Sequence, residues 1–199
     1  MRVPDDSSLI SPRGSAIGLL GGLVMSVCLF VPAVVAPDGS VTRPIEFPPA
    51  AWPHFMGMFA TMGALLALLR DRDGAAVMAL VLAILALASA TGSGLFLMDR
   101  SPTFATVLCL FAGLALSALH SRPWSLGRAM WVSGLLSLTG LAYYGTLVEP
   151  AHGWWLTSGG ALLLLIGGGL LECDARASAG DAGLPRAALV HRDAPPAHR

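Results

Sequence analysis

The chain alternates between long apolar stretches and short segments that carry charge. Marking every Arg, Asp and Glu leaves six uncharged intervals of 20 to 25 residues. A helix needs about 20 apolar residues to cross a hydrocarbon core roughly 30 Å thick. The pattern therefore predicts an all-α, polytopic integral membrane helical bundle with about six transmembrane helices. The predicted spans lie near 16–36, 53–69, 75–97, 103–120, 129–148 and 153–171.

Two of these intervals carry local features that affect the prediction. Pro53 is expected in the first turn of the second span, where a missing N–H removes nothing from the helix. The segment 89–94, Ser-Ala-Thr-Gly-Ser-Gly, is small and polar and could bend or unwind the third span. Asp99 and Arg100 then leave only a short connection, so four or five spans with a re-entrant hairpin at 75–120 stay open as the alternative.

The composition excludes a water-soluble domain. Hydrophobic residues make up 55% of the 199 residues and charged residues only 12%, where a soluble domain has about 25% charge. Acidic and basic residues balance at 12 each, so the net charge gives no argument for a nucleic-acid partner. Three cysteines are too few for a disulfide framework.

The distribution of arginine predicts the orientation. The chain contains no Lys, and alternating spans would place ten of its twelve Arg on one side and only Arg43 and Arg100 on the other. Basic residues of short loops stay in the cytoplasm, so both termini are predicted to be cytoplasmic and the protein multi-pass in a bacterial inner membrane. A signal peptide within the first 35 residues is the competing interpretation, but the apolar run exceeds the usual h-region.

The last residues differ in composition from the spans. Beyond Leu171 the sequence turns to Ala, Gly, Pro and Arg, with too few apolar residues to bury a core. We expect a transmembrane domain over residues 1–174 and a disordered cytoplasmic tail over residues 175–199.

The sequence offers no strong catalytic, cofactor or metal site. No Arg, Asp or Glu lies in a predicted mid-span, where an ion-coupled carrier would need one. No histidine has a second ligand at helical spacing, and His54, His120 and His152 are expected at the water interface. Ser93 in Gly92-Ser93-Gly94 does not match a nucleophile elbow. We therefore expect no enzyme and no cofactor, and we assign no substrate-binding residue.

Small residues and aromatics have structural interpretations. Gly18-x-x-x-Gly22, Gly113-x-x-x-Ser117 and Gly167-Gly-Gly169 predict close helix packing. The tryptophans at span edges predict an aromatic belt. These are Trp52, Trp124, Trp154 and Trp155. The three thiols, Cys28, Cys109 and Cys173, are expected to be ordinary free cysteines.

One arrangement resembles a known family. The segment 44–53, Pro-Ile-Glu-Phe-Pro-Pro-Ala-Ala-Trp-Pro, leads into His54-Phe-Met-Gly and a glycine-bearing span that ends Leu-Leu-Arg70. With the hairpin at 92–119, the basic turn at 120–128 and the ending Leu147-Val-Glu-Pro150, it resembles the small membrane subunit of the tripartite tricarboxylate transporters (TctB type). The sequence departs from that family in having Trp-Pro for Phe-Pro, a further span at 154–171 and a tail.

The resemblance implies a non-catalytic subunit. Its partners would be a large multispan permease and a periplasmic solute-binding protein that together import carboxylates. The alternative is a freestanding or differently partnered polytopic membrane protein of unknown role.

Overall fold

The computed structural model describes residues 12–35, 39–46, 48–97, 101–103, 105–110, 113, 125–146 and 149–183. Within these ranges the protein is mainly helical. The helices are α1 (Pro12–Cys28), α2 (Pro48–Leu68), α3 (Arg72–Leu97), α4 (Leu126–Gly145) and α5 (His152–Gly183), and residues 105–110 are also helical. Three two-residue strands connect them, β1 (Val34–Val35), β2 (Val41–Thr42) and β3 (Glu149–Pro150), with a 3₁₀ turn at Pro44–Glu46.

The helices form a bundle in which α2 runs antiparallel to both α1 and α3, and α5 runs antiparallel to both α1 and α4. α5 packs against α1 and α4, α1 packs against α2, and α3 packs against α2 and α4. The interior is filled mainly by alanine and a few larger side chains, including Met25, Met56, Leu82, Met130 and Leu164. Large apolar side chains cover the outside of every described helix except most of α4. This inside-out distribution is what a helical bundle in lipid requires.

The bundle has two chemically different ends. At one end β1 pairs antiparallel with β2 and with β3, so that Val34 faces Thr42 on one side and Pro150 on the other. The strands bring the segment after α1 and the α4–α5 connection together; we call this the sheet end. Glu172 of α5 lies at the opposite end, with the starts of α1, α3 and α4 and the end of α2; we call this the Glu172 end.

Glycines allow α5 to approach both of its neighbours. A Cβ atom on Gly167 would lie 2.5 Å from the backbone nitrogen of Gly18, and one on Gly168 would lie 2.5 Å from the carbonyl oxygen of Gly127. Because no Cβ atom fits at these distances, the glycines let α5 make direct backbone contact with α1 and α4. Gly22 similarly faces the backbone of α2 at Gly57, where a Cβ would lie 2.7 Å from the carbonyl oxygen.

The structure corrects the start of the second span and the end of the first. α2 begins at Pro48, so Pro53 lies inside the helix and not in its first turn. Pro48 and Pro49 take the first-turn positions instead, since neither needs a backbone N–H there. α1 ends at Cys28, before the predicted limit near 36, because Pro32 follows and Val34 enters the sheet.

The α2–α3 connection is a tight turn, and α3 is continuous. Asp71 N donates to Leu66 O over 2.9 Å while Arg70 adopts φ 62°, a left-handed helix end that glycine more often occupies. The Asp71 carboxylate then caps α3 by accepting from Gly74 N over 3.0 Å. The backbone of residues 89–94 stays helical, so the unwinding considered for this segment does not occur.

α5 extends beyond the predicted sixth span. It continues to Gly183, so the expected disorder is wrong for residues 175–183, while residues 184–199 lie outside the described part. The segment after Glu172 is rich in alanine and contains no proline before Pro185, and Arg176 bonds Glu172 one turn earlier.

Three described helices are long and apolar enough to cross a membrane. They are Ala51–Leu68 within α2, Arg72–Thr91 within α3 and His152–Ala177 within α5, whereas α1 is apolar but shorter, at 17 residues. The fold is thus a helical bundle with membrane-length apolar helices.

Candidate functional site

The main polar cluster among the described residues surrounds the carboxylate of Glu172. Ser125 Oγ donates to Glu172 Oε2 over 2.5 Å, and Arg128 Nε donates to Glu172 Oε1 over 2.7 Å. Arg176 Nε, one turn further along α5, donates to the same Oε1 over 3.3 Å. Ser125, Arg128, Glu172 and Arg176 form what we call the Glu172 cluster.

Local sequence explains how the cluster forms. Ser125 directly precedes α4 and its hydroxyl accepts from the backbone N–H of Arg128 over 3.2 Å, as an N-cap residue does. The start of α4 also carries the positive end of the helix dipole, which favours a nearby carboxylate. The backbone contact of Gly127 with Gly168 brings α5 close enough for Glu172 to reach Ser125.

The cluster joins α4 and α5, and two guanidinium groups balance the charge of the Glu172 carboxylate at its centre. The Glu172 side chain is only 14% exposed, and its carboxylate accepts from Ser125 and from two guanidinium groups. Three hydrogen bonds already occupy most of the acceptor sites of this carboxylate, which makes it a poor general base or cation ligand. The arrangement therefore holds α5 to the start of α4.

His54 does not lie at the water interface as predicted. It is 2% exposed, and its Nδ1–H donates to the carbonyl oxygen of Met25 over 2.7 Å. Met25 lies in the last turn of α1, where helix carbonyls need external donors. His54 thus stabilises the end of α1 from α2, and the apolar residues around it gave no sequence signal for this role.

The indole ring of Trp154 also donates to a helix carbonyl group, at the sheet end. Trp154 Nε1 donates to the carbonyl oxygen of Leu141 over 3.2 Å, linking α5 to α4. Trp52 and Trp155 are exposed at this sheet end, which fits the predicted aromatic belt, and Trp124 lies outside the described residues.

The remaining predicted candidates do not assemble into a site. His152 is exposed at the start of α5, and His120 lies outside the described residues. Ser93 is part of α3, near the sheet end. Cys28 is buried, whereas Cys109 and Cys173 are exposed, and all three thiols are free. Across the described ranges no three His, Cys, Asp or Glu residues come together as metal ligands.

The sequence did not predict the burial of three hydroxyl groups. Ser15, Ser133 and Ser137 have hydroxyl oxygens without a hydrogen-bond partner. Other helix hydroxyls, such as those of Ser26 and Thr157, donate to the carbonyl oxygen four residues earlier. Serine is as small as alanine for packing purposes, so its hydroxyl in an apolar helix gives little signal of where it will point.

Comparison of the chain with protein-family models, with curated proteins and with solved structures gave no match.

Proposed function

We propose that the protein is a small, non-catalytic membrane subunit of a tripartite tricarboxylate-type solute transporter that packs against a large permease. The observation that carries the proposal is the interior of the described bundle, which is filled by alanine, glycine and apolar side chains. The charged side chains that the structure describes lie near the two ends of the bundle, and Glu172 is already paired. An interior of this kind suits a packing subunit better than a carrier with its own ion-coupled site.

The proposal includes six membrane passes with the Glu172 end in the cytoplasm. Support comes from the directions of the described helices, since α1, α3 and α4 start at the Glu172 end and α2 ends there, and from the distribution of arginine. Of the six described arginines, five lie at the Glu172 end and only Arg43 lies at the sheet end. Arginine-rich ends are retained in the cytoplasm, which would place both termini inside and the sheet end outside a bacterial inner membrane.

The segment that resembles the transporter family lies at the proposed outer end. Its prolines form the 3₁₀ turn at Pro44–Glu46 and the start of α2. Ile45 is exposed there, as are Val41 and Trp155. These apolar side chains would be available to the outer part of a permease or to a periplasmic solute-binding protein.

A second candidate is a freestanding or differently partnered membrane protein. It is favoured by the glycine contacts, because Gly18, Gly22 and Gly167 face other helices of the same chain. The predicted glycine patterns at 18–22 and 167–169 are thus satisfied within the chain, whereas a Cβ on Gly113 would meet no described atom within 4 Å. Partner contacts would have to use other surfaces.

Copurification separates the two candidates. The full-length protein, tagged at its C-terminus, would be expressed from its own chromosomal context and extracted in a mild detergent. The transporter hypothesis predicts that a large permease copurifies and that deleting the gene abolishes tricarboxylate uptake, with recovery on complementation. Purification without a permease, together with unchanged uptake in the deletion strain, would contradict it.

Reconstitution tests the non-catalytic role. Liposomes containing only this protein should not accumulate labelled tricarboxylate. Uptake by these liposomes that a single interior substitution abolishes would make the protein a carrier.

A further inference from the structure

Two buried hydroxyl groups lie about one turn apart on the interior of α4. Ser133 is 0% exposed and Ser137 is 1% exposed, and neither side-chain oxygen has a hydrogen-bond partner within the described residues. Positions four residues apart in a helix lie on the same face, with about 5–6 Å between their Cβ atoms. One small molecule can therefore contact both hydroxyl groups.

These two hydroxyls are oriented differently from most other helix hydroxyls of the chain. Seven others each donate to the carbonyl oxygen four residues earlier, over 2.6 to 3.0 Å. They belong to Ser26, Thr61, Thr91, Thr106, Thr139, Thr157 and Ser158. Ser133 and Ser137 do not make this bond, although Thr139 of the same helix does. Their hydroxyls are thus turned away from the carbonyl groups of α4 and into the bundle.

The side chains of α2 that face the pair are apolar. Leu126, seven residues before Ser133 and so on the same face of α4, lies against Gly63 of α2. Because α2 runs antiparallel to α4, Ser133 lies about two turns further along, level with Met56 and Ala60. Both are almost completely buried, at 1% and 0% exposed, and neither offers a strong acceptor to a hydroxyl group. The pair must be satisfied by something other than these side chains.

We propose that Ser133 and Ser137 bind one water molecule inside the bundle, between α4 and α2. The water donates to one serine oxygen and accepts from the O–H of the other. Buried waters typically make about three hydrogen bonds to polar groups that would otherwise lack a partner, and an unpaired buried hydroxyl is unfavourable. The inference concerns the interior of the bundle, and it depends neither on the transporter hypothesis nor on the orientation in the membrane.

Thermal unfolding of serine-to-alanine variants tests the proposal on the full-length protein in detergent. Ser133→Ala and Ser137→Ala each remove one ligand of the water and leave the other hydroxyl poorly paired, so each should lower the unfolding midpoint by about 2–4 °C. The double variant removes both hydroxyls, so its loss should be smaller than the sum of the two single losses. Ser158→Ala is the control, because that hydroxyl donates within its own helix, and it should change the midpoint less than either single variant.

A crystal structure that resolves ordered water identifies the ligand. A water oxygen should lie within hydrogen-bond distance of both Oγ atoms and should be absent from the double variant. Additive losses no larger than that of Ser158→Ala would show that each serine bonds only its own helix. A higher midpoint for the single variants would show that the hydroxyls are simply unpaired. Either result, or serine hydroxyls bonded to helix carbonyls with no water between them, would overturn the proposal.

Discussion

Glu172 is the residue whose environment departs most from an ordinary apolar helix. Its carboxylate accepts hydrogen bonds from α4 and from its own helix, and it is largely shielded from solvent. Removing one member of such a group leaves the others desolvated and unpaired, which costs more than the pair itself contributes. The exposure of Arg128 and Arg176 moderates this cost.

Replacing Glu172 with Ala is therefore expected to destabilise the protein by about 1–2 kcal/mol. Glu172→Gln should cost less, because its amide oxygen still accepts from Ser125 or Arg128. The measurement is thermal unfolding of the detergent-solubilised protein. Glu46→Ala, which breaks an exposed pair with Arg43 and an exposed hydrogen bond from the Arg43 backbone N–H, is the control and should change stability by less than about 1 kcal/mol. Equal effects of the two alanine variants would contradict the assigned role of the Glu172 cluster.

His54 gives a second residue-scale test. His54→Phe keeps an aromatic ring but removes the N–H that donates to Met25 O, so it should cost about 1 kcal/mol. His54→Asn restores a donor and should recover part of the loss. The exposed His152 supplies a matched control, since His152→Phe removes no described hydrogen bond. Thermal unfolding that cannot distinguish His54→Phe from His152→Phe would show that the hydrogen bond contributes nothing.

At the scale of elements, the bundle depends on which glycines lie between helices. Gly168 faces the backbone of α4, whereas a Cβ on Gly159, nine residues earlier on the same helix, would meet nothing within 4 Å. Helix association in lipid gains no hydrophobic driving force, so the close contact at Gly168 is itself what stabilises the helix pair.

Gly168→Ala should therefore destabilise the protein by about 1–3 kcal/mol, because the new methyl group forces the helices apart. Gly159→Ala should be neutral or stabilising by up to about 1 kcal/mol, from helix propensity. Parallel thermal unfolding of the two variants checks this. If Gly159→Ala is as damaging as Gly168→Ala, then the outer face of α5 is itself a contact surface and the interpretation fails.

The sequence predicted the helical elements better than their contacts. Charge-free intervals located α2, α3 and α5 because apolar length is a local property. The early end of α1 depended on strand pairing between Val34 and residues far along the chain, which periodicity does not encode. The burial of His54 and the pairing of Glu172 with Ser125 likewise depend on which helices become neighbours. Gly18 and Gly22 were predicted to pack closely, and the structure shows Gly18 against Met130 of α4 and Gly167 of α5, and Gly22 against α2.

At the scale of the whole molecule, the protein has two unlike ends. The sheet end is ordered by backbone pairing and exposes apolar side chains, whereas the Glu172 end carries most of the described arginine. Membrane-length apolar helices connect the two ends. The orientation of this bundle determines which end meets a periplasmic partner, so the proposed function depends on it.

Labelling with a membrane-impermeant maleimide tests that orientation most directly. Two single-cysteine proteins are needed, one retaining only the exposed Cys173 at the Glu172 end and one carrying only Ser40→Cys at the exposed sheet end. In intact spheroplasts Ser40→Cys should be labelled, and Cys173 should be labelled only after the membrane is permeabilised. Labelling of Cys173 in intact spheroplasts, with protection of Ser40→Cys, would reverse the orientation. Labelling of both before permeabilisation would contradict a membrane-spanning bundle with its two ends on opposite sides.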